Sequence, residues 1–349
     1  MRKNPGVPNN HLTPLDERGP APDAGTGWDR RRTLDLGRCA LAIDVGGTKF
    51  AAGIVTELGE IVSARRIANP QGDDAEELYS ALVEVIDSVL HAVGVEPDER
   101  SALPGIGIAT AAPLDRDAGT VSPVNIPAWR GFPLRDRLVE RYGLEVRMFG
   151  DAVAVAVGEH WRGAAQGRRN VLGMVVSTGI GGGVIIDGRV VPGTTGNAGH
   201  IGHISVDPFG PTCVCGGIGC LEAIASGTNI AAWARAHGSE ATDAASLAEA
   251  ARRGEPIALA TFRRAGEAIG LAVAGAVTLL DLDVVVIGGG VAAAGSVLFD
   301  PIADGYAKYA GLGYASSPRV VPALLGGDAG LIGAAAVVLQ ADSYWPHAG

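Results

Sequence analysis

At 349 residues the chain is long enough for about two domains of ordinary size, which excludes a disulfide-stapled mini-protein. Its 47% apolar and 19% charged residues describe a globular chain, and a net charge of -10 opposes non-specific attraction to nucleic acid or to an anionic membrane. The longest helical apolar run, Ala268 to Leu280, falls short of the ~18 to 20 residues that span a bilayer.

The first 37 residues carry five Pro, five Gly and few large apolar groups, so they read as a disordered tail. Arg30 to Arg32 are not followed by the cleavable apolar segment of an export signal, and a cytoplasmic location is expected. From Arg38 the pattern predicts three antiparallel strands, Ala40 to Val45, Phe50 to Val55 and Ile61 to Ile67. Asp74 to Val93 then predicts a helix, with apolar positions at Leu78, Leu82, Val85, Ile86, Val89 and Val93. A strand over Gly105 to Ala109 follows, and another over Glu145 to Phe149. That second strand runs into Gly150-Asp151, where an Ala- and Val-rich helix begins. Strand-to-helix junctions of this kind open onto ligand clefts.

The pattern then restarts with an apolar strand Val171 to Ser177, a Thr-Gly-Ile-Gly-Gly-Gly turn, and a strand resuming at Val184 to Ile186. Two strand, Gly-turn, strand units predict two related α/β halves, each offering a Gly-rich hairpin to a shared cleft. Either loop by itself could equally be a tight hairpin. In the first, Asp44-Val-Gly-Gly-Thr-Lys49, the glycines Gly46 and Gly47 let N–H groups approach phosphate, Thr48 adds a hydroxyl and Lys49 a charge. Asp44 could hold a hydrated Mg²⁺. Only three of the 28 basic residues are Lys, so Lys49 stands against the chain's own bias. There is no Walker A loop. Gly288-Gly289-Gly290, after a strand Val284 to Ile287, partly fits a dinucleotide fingerprint but is read as a loop packing on adenosine.

His203-x9-Cys213-x-Cys215-x4-Cys220 supplies one imidazole and three thiols, the donor set of a closed tetrahedral Zn²⁺ site. With no position left for catalytic water, that ion would be structural, pinning the loop that carries His200, His203 and Glu222. The remaining cysteine, Cys39, reads as a buried small apolar residue at a strand start. Asp151 is the candidate base for phosphoryl transfer to an alcohol, its competing role being a helix N-cap.

Together these residues resemble the ROK family of bacterial sugar kinases and repressors over 39 to 341. The stretch Val176 to Gly227 is especially similar to N-acetylmannosamine kinases. The resemblance implies an α/β, actin-like ATPase fold of hexokinase type (ribonuclease H-like), duplicated into two domains. The smaller would hold 38–150 plus a C-terminal helix 329–341, and the larger 151–328 with the zinc loop. It implies ATP and Mg²⁺, a homodimer or homotetramer, and a sugar-like small molecule as partner, with neither nucleic acid nor membrane. It assigns Asp44, Gly46, Gly47, Thr48 and Lys49 to one phosphate loop, Thr178, Gly179, Gly181 and Gly182 to a second, and Gly288 to Gly290 to adenosine. Asp151 becomes the base that activates a primary hydroxyl. Asn125, His203 and Glu222 would contact the sugar.

The chain departs from the family at four positions in or beside the implied sugar site. Gly150 stands where the family usually has the Asn that holds a ring hydroxyl, and Val153 replaces a second Asn. Position 200 is His, as in N-acetylmannosamine kinases, where many glucokinases have Glu, and Ala112 lies in an altered sugar loop. The expected substrate is therefore a hexose or hexose-like ring, such as an amino sugar or a C7 cyclitol, rather than assured glucose. N-Acetylmannosamine kinase and glucokinase are the nearest alternatives. A sugar-responsive repressor is disfavoured by a tail too short and too Pro/Gly-rich for a DNA reader. A nicotinamide oxidoreductase rests on Gly288-x-Gly290 alone, and loss of activity is opposed by Asp44, Thr48, Lys49 and Asp151.

Overall fold

The computed structural model describes residues 34–47, 49–70, 72–316 and 319–345. The tail therefore lies almost wholly outside the described residues; its last two, Leu36 and Gly37, form with Arg38 a short 3-10 turn leading into the first strand.

Strands β1 (Cys39–Val45), β2 (Lys49–Thr56) and β3 (Ile61–Ala68) make the expected antiparallel meander. Cys39 is buried at its edge, as expected of a small apolar residue. Helix α1 (Ala75–Ala92) follows, capped by Asp74, whose carboxylate accepts from the Glu76 N–H at 2.8 Å. Strand β4 (Ile106–Thr110) pairs parallel with β1. A two-stranded ribbon of β5 (Leu114–Asp115) and β6 (Thr120–Val121) leads to α2 (Leu134–Tyr142). Strand β7 (Val146–Gly150) then completes a sheet of order β3-β2-β1-β4-β7 and passes directly into α3 (Asp151–Arg162).

The second sheet repeats the first. Strands β8 (Val171–Val176), β9 (Ile180–Ile186) and β10 (Arg189–Val190) are antiparallel. Helices α4 (Leu221–Ala225), α5 (Gly227–Ala236), α6 (Ala244–Arg252) and α7 (Pro256–Leu280) intervene. Strand β11 (Val284–Gly288), helix α8 (Ser296–Tyr309) and strand β12 (Arg319–Pro322) follow, giving the order β10-β9-β8-β11-β12. Helices α9 (Ala329–Leu339) and α10 (Ala341–Tyr344) end the described chain. Among the described residues no helix is long and apolar enough to cross a membrane.

Helices α3 and α9 tie the sheets together, α9 against β1 and β4, and α3 against β8, β9 and α9. Small residues make this closeness possible. A Cβ on Gly333 would sit 1.7 Å from the Ala154 carbonyl oxygen, and one on Gly107 would sit 1.8 Å from that of Ala334. Backbone cannot yield as a flexible side chain can. Gly333→Ala is therefore expected to lower stability by about 2–3 kcal/mol, read as a lower denaturation midpoint.

The predicted Thr-Gly-Ile-Gly-Gly-Gly turn is corrected by the same packing. Gly181 and Gly182 lie inside β9, paired with Val175 and Met174, and only residues 177–179 form the turn. Their smallness serves the protein interior. A Cβ on Gly181 would meet Ala152 of α3 at 2.8 Å, and one on Gly183 would reach the Val153 backbone at 2.6 Å. Gly181 and Gly183 let α3 lie flat on the sheet, Gly182 makes room for Gly199 and Ile201 on the other face, and β-pairing satisfies the backbone.

Candidate active site

Asp151 is the first residue of α3, with Gly150 as the N-cap, so the competing N-cap role for Asp151 does not hold. Its carboxylate accepts from the Ala152 N–H at 2.7 Å. Although part of its surface stays accessible, the carboxyl group is densely surrounded by protein. Burial pushes its pKa up to about 6; the Ala152 bond opposes this and the Asp44 charge adds to it. Asp44, on β1, is shifted upward too, by burial first, against the lowering influence of Lys49 and Arg66. The structure thus couples the first loop electrostatically to Asp151, although they are more than 100 residues apart.

The first loop is a hairpin closed by the Gly46 N–H donating to the Lys49 carbonyl at 3.0 Å. Thr48 lies outside the described residues. Asn125 arrives at this loop, as a Cβ on Gly47 would meet its Nδ2 at 2.6 Å. The loop holding Ala112 is joined to the end of β1 by the Ala111 N–H donating to the Val45 carbonyl, 2.9 Å. Asn69 went unremarked in the sequence. Its Nδ2 donates to the Gly46 carbonyl at 3.0 Å, and only the tertiary pairing of β3 with β2 makes it part of the loop.

Glu222, on α4, is tied to the second loop. Its Oε2 accepts from the Ile180 N–H at 2.8 Å and crowds Gly179. His200 and His203 face each other with ring centres 6.0 Å apart. The His200 pKa lies below the ordinary imidazole value, mainly through burial and then through His203, with Glu222 opposing.

Thr178 and Gly290 line one cavity of about 400 Å³, which brings the second and third glycine loops together. Gly289 adopts φ +96° and passes so close to Val176 that a Cβ would sit 2.4 Å from its carbonyl oxygen. The other walls include Gly227, Thr228, Arg235 and Asp243, which sequence reading missed. The available signal was Ser226, which caps α5 by accepting from the Asn229 N–H and so turns a helix N-terminus toward the cavity.

The four predicted metal ligands converge. His203 Nδ1 lies 3.8 Å from Cys213 Sγ, Cys215 Sγ lies 3.7 Å from Cys220 Sγ, and all four donors fall within 4.8 Å of one another. Tetrahedral Zn²⁺ with bonds of ~2.0 Å to nitrogen and ~2.3 Å to sulfur sets its ligands about 3.5–3.8 Å apart, so these residues fit the ion. Cys220 is also the N-cap of α4, two residues before Glu222.

Comparison with known proteins adds the evolutionary context. The chain is 34% identical over 316 residues to a glucokinase of Thermotoga maritima, covering 86% of this chain and 97% of that one. It is 33% identical over 298 residues to an N-acetylmannosamine kinase of Pasteurella multocida, covering 85% and 95%. Its fold superposes with a TM-score of 0.74 on a Streptomyces griseus ROK family glucokinase solved with glucose and AMPPNP, at 33% identity, covering 86% of this chain and 99% of that one. The duplicated sheets are the actin-like ATPase architecture of these kinases. With the ROK family model matching residues 40–341, this chain belongs to the ROK family.

Proposed function

We propose that this protein is an ATP-dependent kinase that phosphorylates the primary, exocyclic hydroxyl of a hexose or hexose-like ring. The observation that carries the reading is Asp151, a densely surrounded carboxylate raised to about 6 and coupled to the first glycine loop. At neutral pH it is ionised and still basic enough to accept a proton. The substrate hydroxyl oxygen attacks the terminal phosphorus, its proton passes to Asp151, and the bond to the departing ADP breaks.

The cavity beside Thr178 and Gly290 suits the nucleotide, and the α5 N-terminus favours the negative charge of its phosphates. Asp44 is the residue that would hold hydrated Mg²⁺. Its side chain has no hydrogen-bond donor among the described residues, and a hard carboxylate oxygen suits that ion. When bound, Mg²⁺ supplies charge neutralisation for the phosphates. Lys49 adds a fixed positive charge close to Asp44, and Gly46 and Gly47 keep the loop slim. Asn125, His200, His203 and Glu222, with the loop at Ala112, are proposed to surround the sugar. The Cys/His cluster would hold structural Zn²⁺.

Within the ring class we favour an amino sugar or a C7 cyclitol. Gly150 has φ -60° and ψ 143°, which any residue adopts, and a Cβ there would meet only Val153 Cγ2, at 3.7 Å. Neither the backbone nor packing requires glycine, so the space beside Asp151 is free for substrate. Gly150→Asn is expected to fold normally and to raise kcat/KM for glucose about 10-fold, the equivalent of one regained hydrogen bond. Unchanged preference would remove Gly150 from the specificity argument. ADP release measured with hexoses, amino sugars, N-acetylated sugars and cyclitols tests the whole proposal, and no acceptor-dependent release from any of them would overturn it.

A further inference from the structure

A second cavity, of about 500 Å³, shares no residue with the first. Three arginines, Arg116, Arg135 and Arg147, line it together with Met148, Phe149 and Trp345. The Phe149 and Trp345 rings stack at 4.1 Å, and the Arg116 guanidinium lies 5.6 Å and 5.7 Å from their centres. The arginines are held in place. Arg135 donates to the carbonyls of Arg116 (2.8 Å) and Asp117 (3.2 Å), and Arg147 pairs with Glu145 at 2.8 Å. Room is cleared for two of them, since a Cβ on Gly196 would sit 2.8 Å from Arg116 Cδ and one on Gly119 would sit 2.5 Å from Arg135 Cζ.

The Arg116 guanidinium has no acceptor among the described residues; Trp345 Nε1 has none either, but that atom is fully buried and does not face the cavity space. Of the two acidic residues on the wall, Glu145 is engaged by Arg147, and Asp342 stands at the exposed rim. A weakly hydrated guanidinium stacked on aromatic rings, with two further guanidinium groups on the same wall, is suited to a phosphate group.

The geometry points to a second, regulatory site here for a phosphomonoester or inorganic phosphate. Met148 and Phe149 wall the cavity, and two residues after Phe149 the chain reaches Asp151. A bound anion therefore bears on the strand that aims the candidate base. The regulatory half of this statement rests on the kinase reading; the binding half does not.

The test is calorimetric titration of the full chain, without nucleotide, with inorganic phosphate and separately with glucose 6-phosphate. The expected result is saturable binding of at least one probe, weakened at least ~10-fold by Arg116→Gln and unaffected by Asp151→Asn. Binding of glucose 6-phosphate alone identifies a sugar phosphate as the ligand, and binding of both identifies the phosphate group. No binding, or equal affinity in Arg116→Gln, would overturn the site. Turnover of the best acceptor should change at least 2-fold with saturating probe in the unmodified chain and not in Arg116→Gln. Binding without that change would end the regulatory claim, and an inactive enzyme that still binds phosphate would end only the kinase reading.

Discussion

Asp151→Asn is expected to retain nucleotide and acceptor binding while phosphoryl transfer slows at least ~10³-fold, with kcat falling and KM nearly constant. The amide keeps the shape and the oxygen that accepts from the Ala152 N–H, but cannot take a proton at neutral pH. Near-normal turnover would remove Asp151 from the chemistry. The same variant should be more stable than the parent. Because the folded carboxyl titrates near 6 rather than 3.8, the folded state holds its proton to higher pH than the unfolded chain does. Its contribution to stability is fully present below about pH 4 and lost as pH rises through about 6. Measured without nucleotide or Mg²⁺, the stability advantage of Asp151→Asn should grow from near zero at about pH 3 toward about 3 kcal/mol at about pH 7 and then level off. A pH-independent difference would contradict the burial argument. A group that costs stability where it is charged is what a buried catalytic carboxylate entails.

Removal of the proposed zinc ion is the second large effect. The purified chain should contain about one zinc atom, and Cys220→Ser should lose it together with more than about 4 kcal/mol of stability. Activity should fall as well, through geometry rather than chemistry. Cys220 caps α4, and α4 carries Glu222, whose carboxylate holds the Ile180 N–H at the edge of the second loop. Loss of the ion frees this chain of contacts. Cys39→Ser, outside the cluster, should keep the zinc. Full activity and stability in the metal-free protein would leave the four ligands without the role assigned to them.

Most strands of both halves, the helix capped by Asp74 and the clustering of His203 with three cysteines were legible in the sequence, because each rests on local rules. Alternating burial, a capping carboxylate and the close spacing of Cys213, Cys215 and Cys220 are all written within a few residues. The paired glycine loops and the Gly150-Asp151 junction were legible for the same reason. Tertiary structure decided what the local rules leave open. The run Gly181 to Gly183 reads as a loop because glycine permits one, yet it is strand, with α3 packed where the side chains of Gly181 and Gly183 would have been and Gly199 and Ile201 where that of Gly182 would. Asn69 carries no local signature, and the Ser226 cap marks the start of α5 without saying what it faces; Asn69, Thr228 and Arg235 reach the loop and the cavity only when β3 pairs with β2 and α5 crosses the end of β8. The raised Asp151 carboxyl is likewise a property of the assembled protein. Desolvation and the Asp44 charge come from segments distant in the chain, and neither exists until the sheets and α3 close around it.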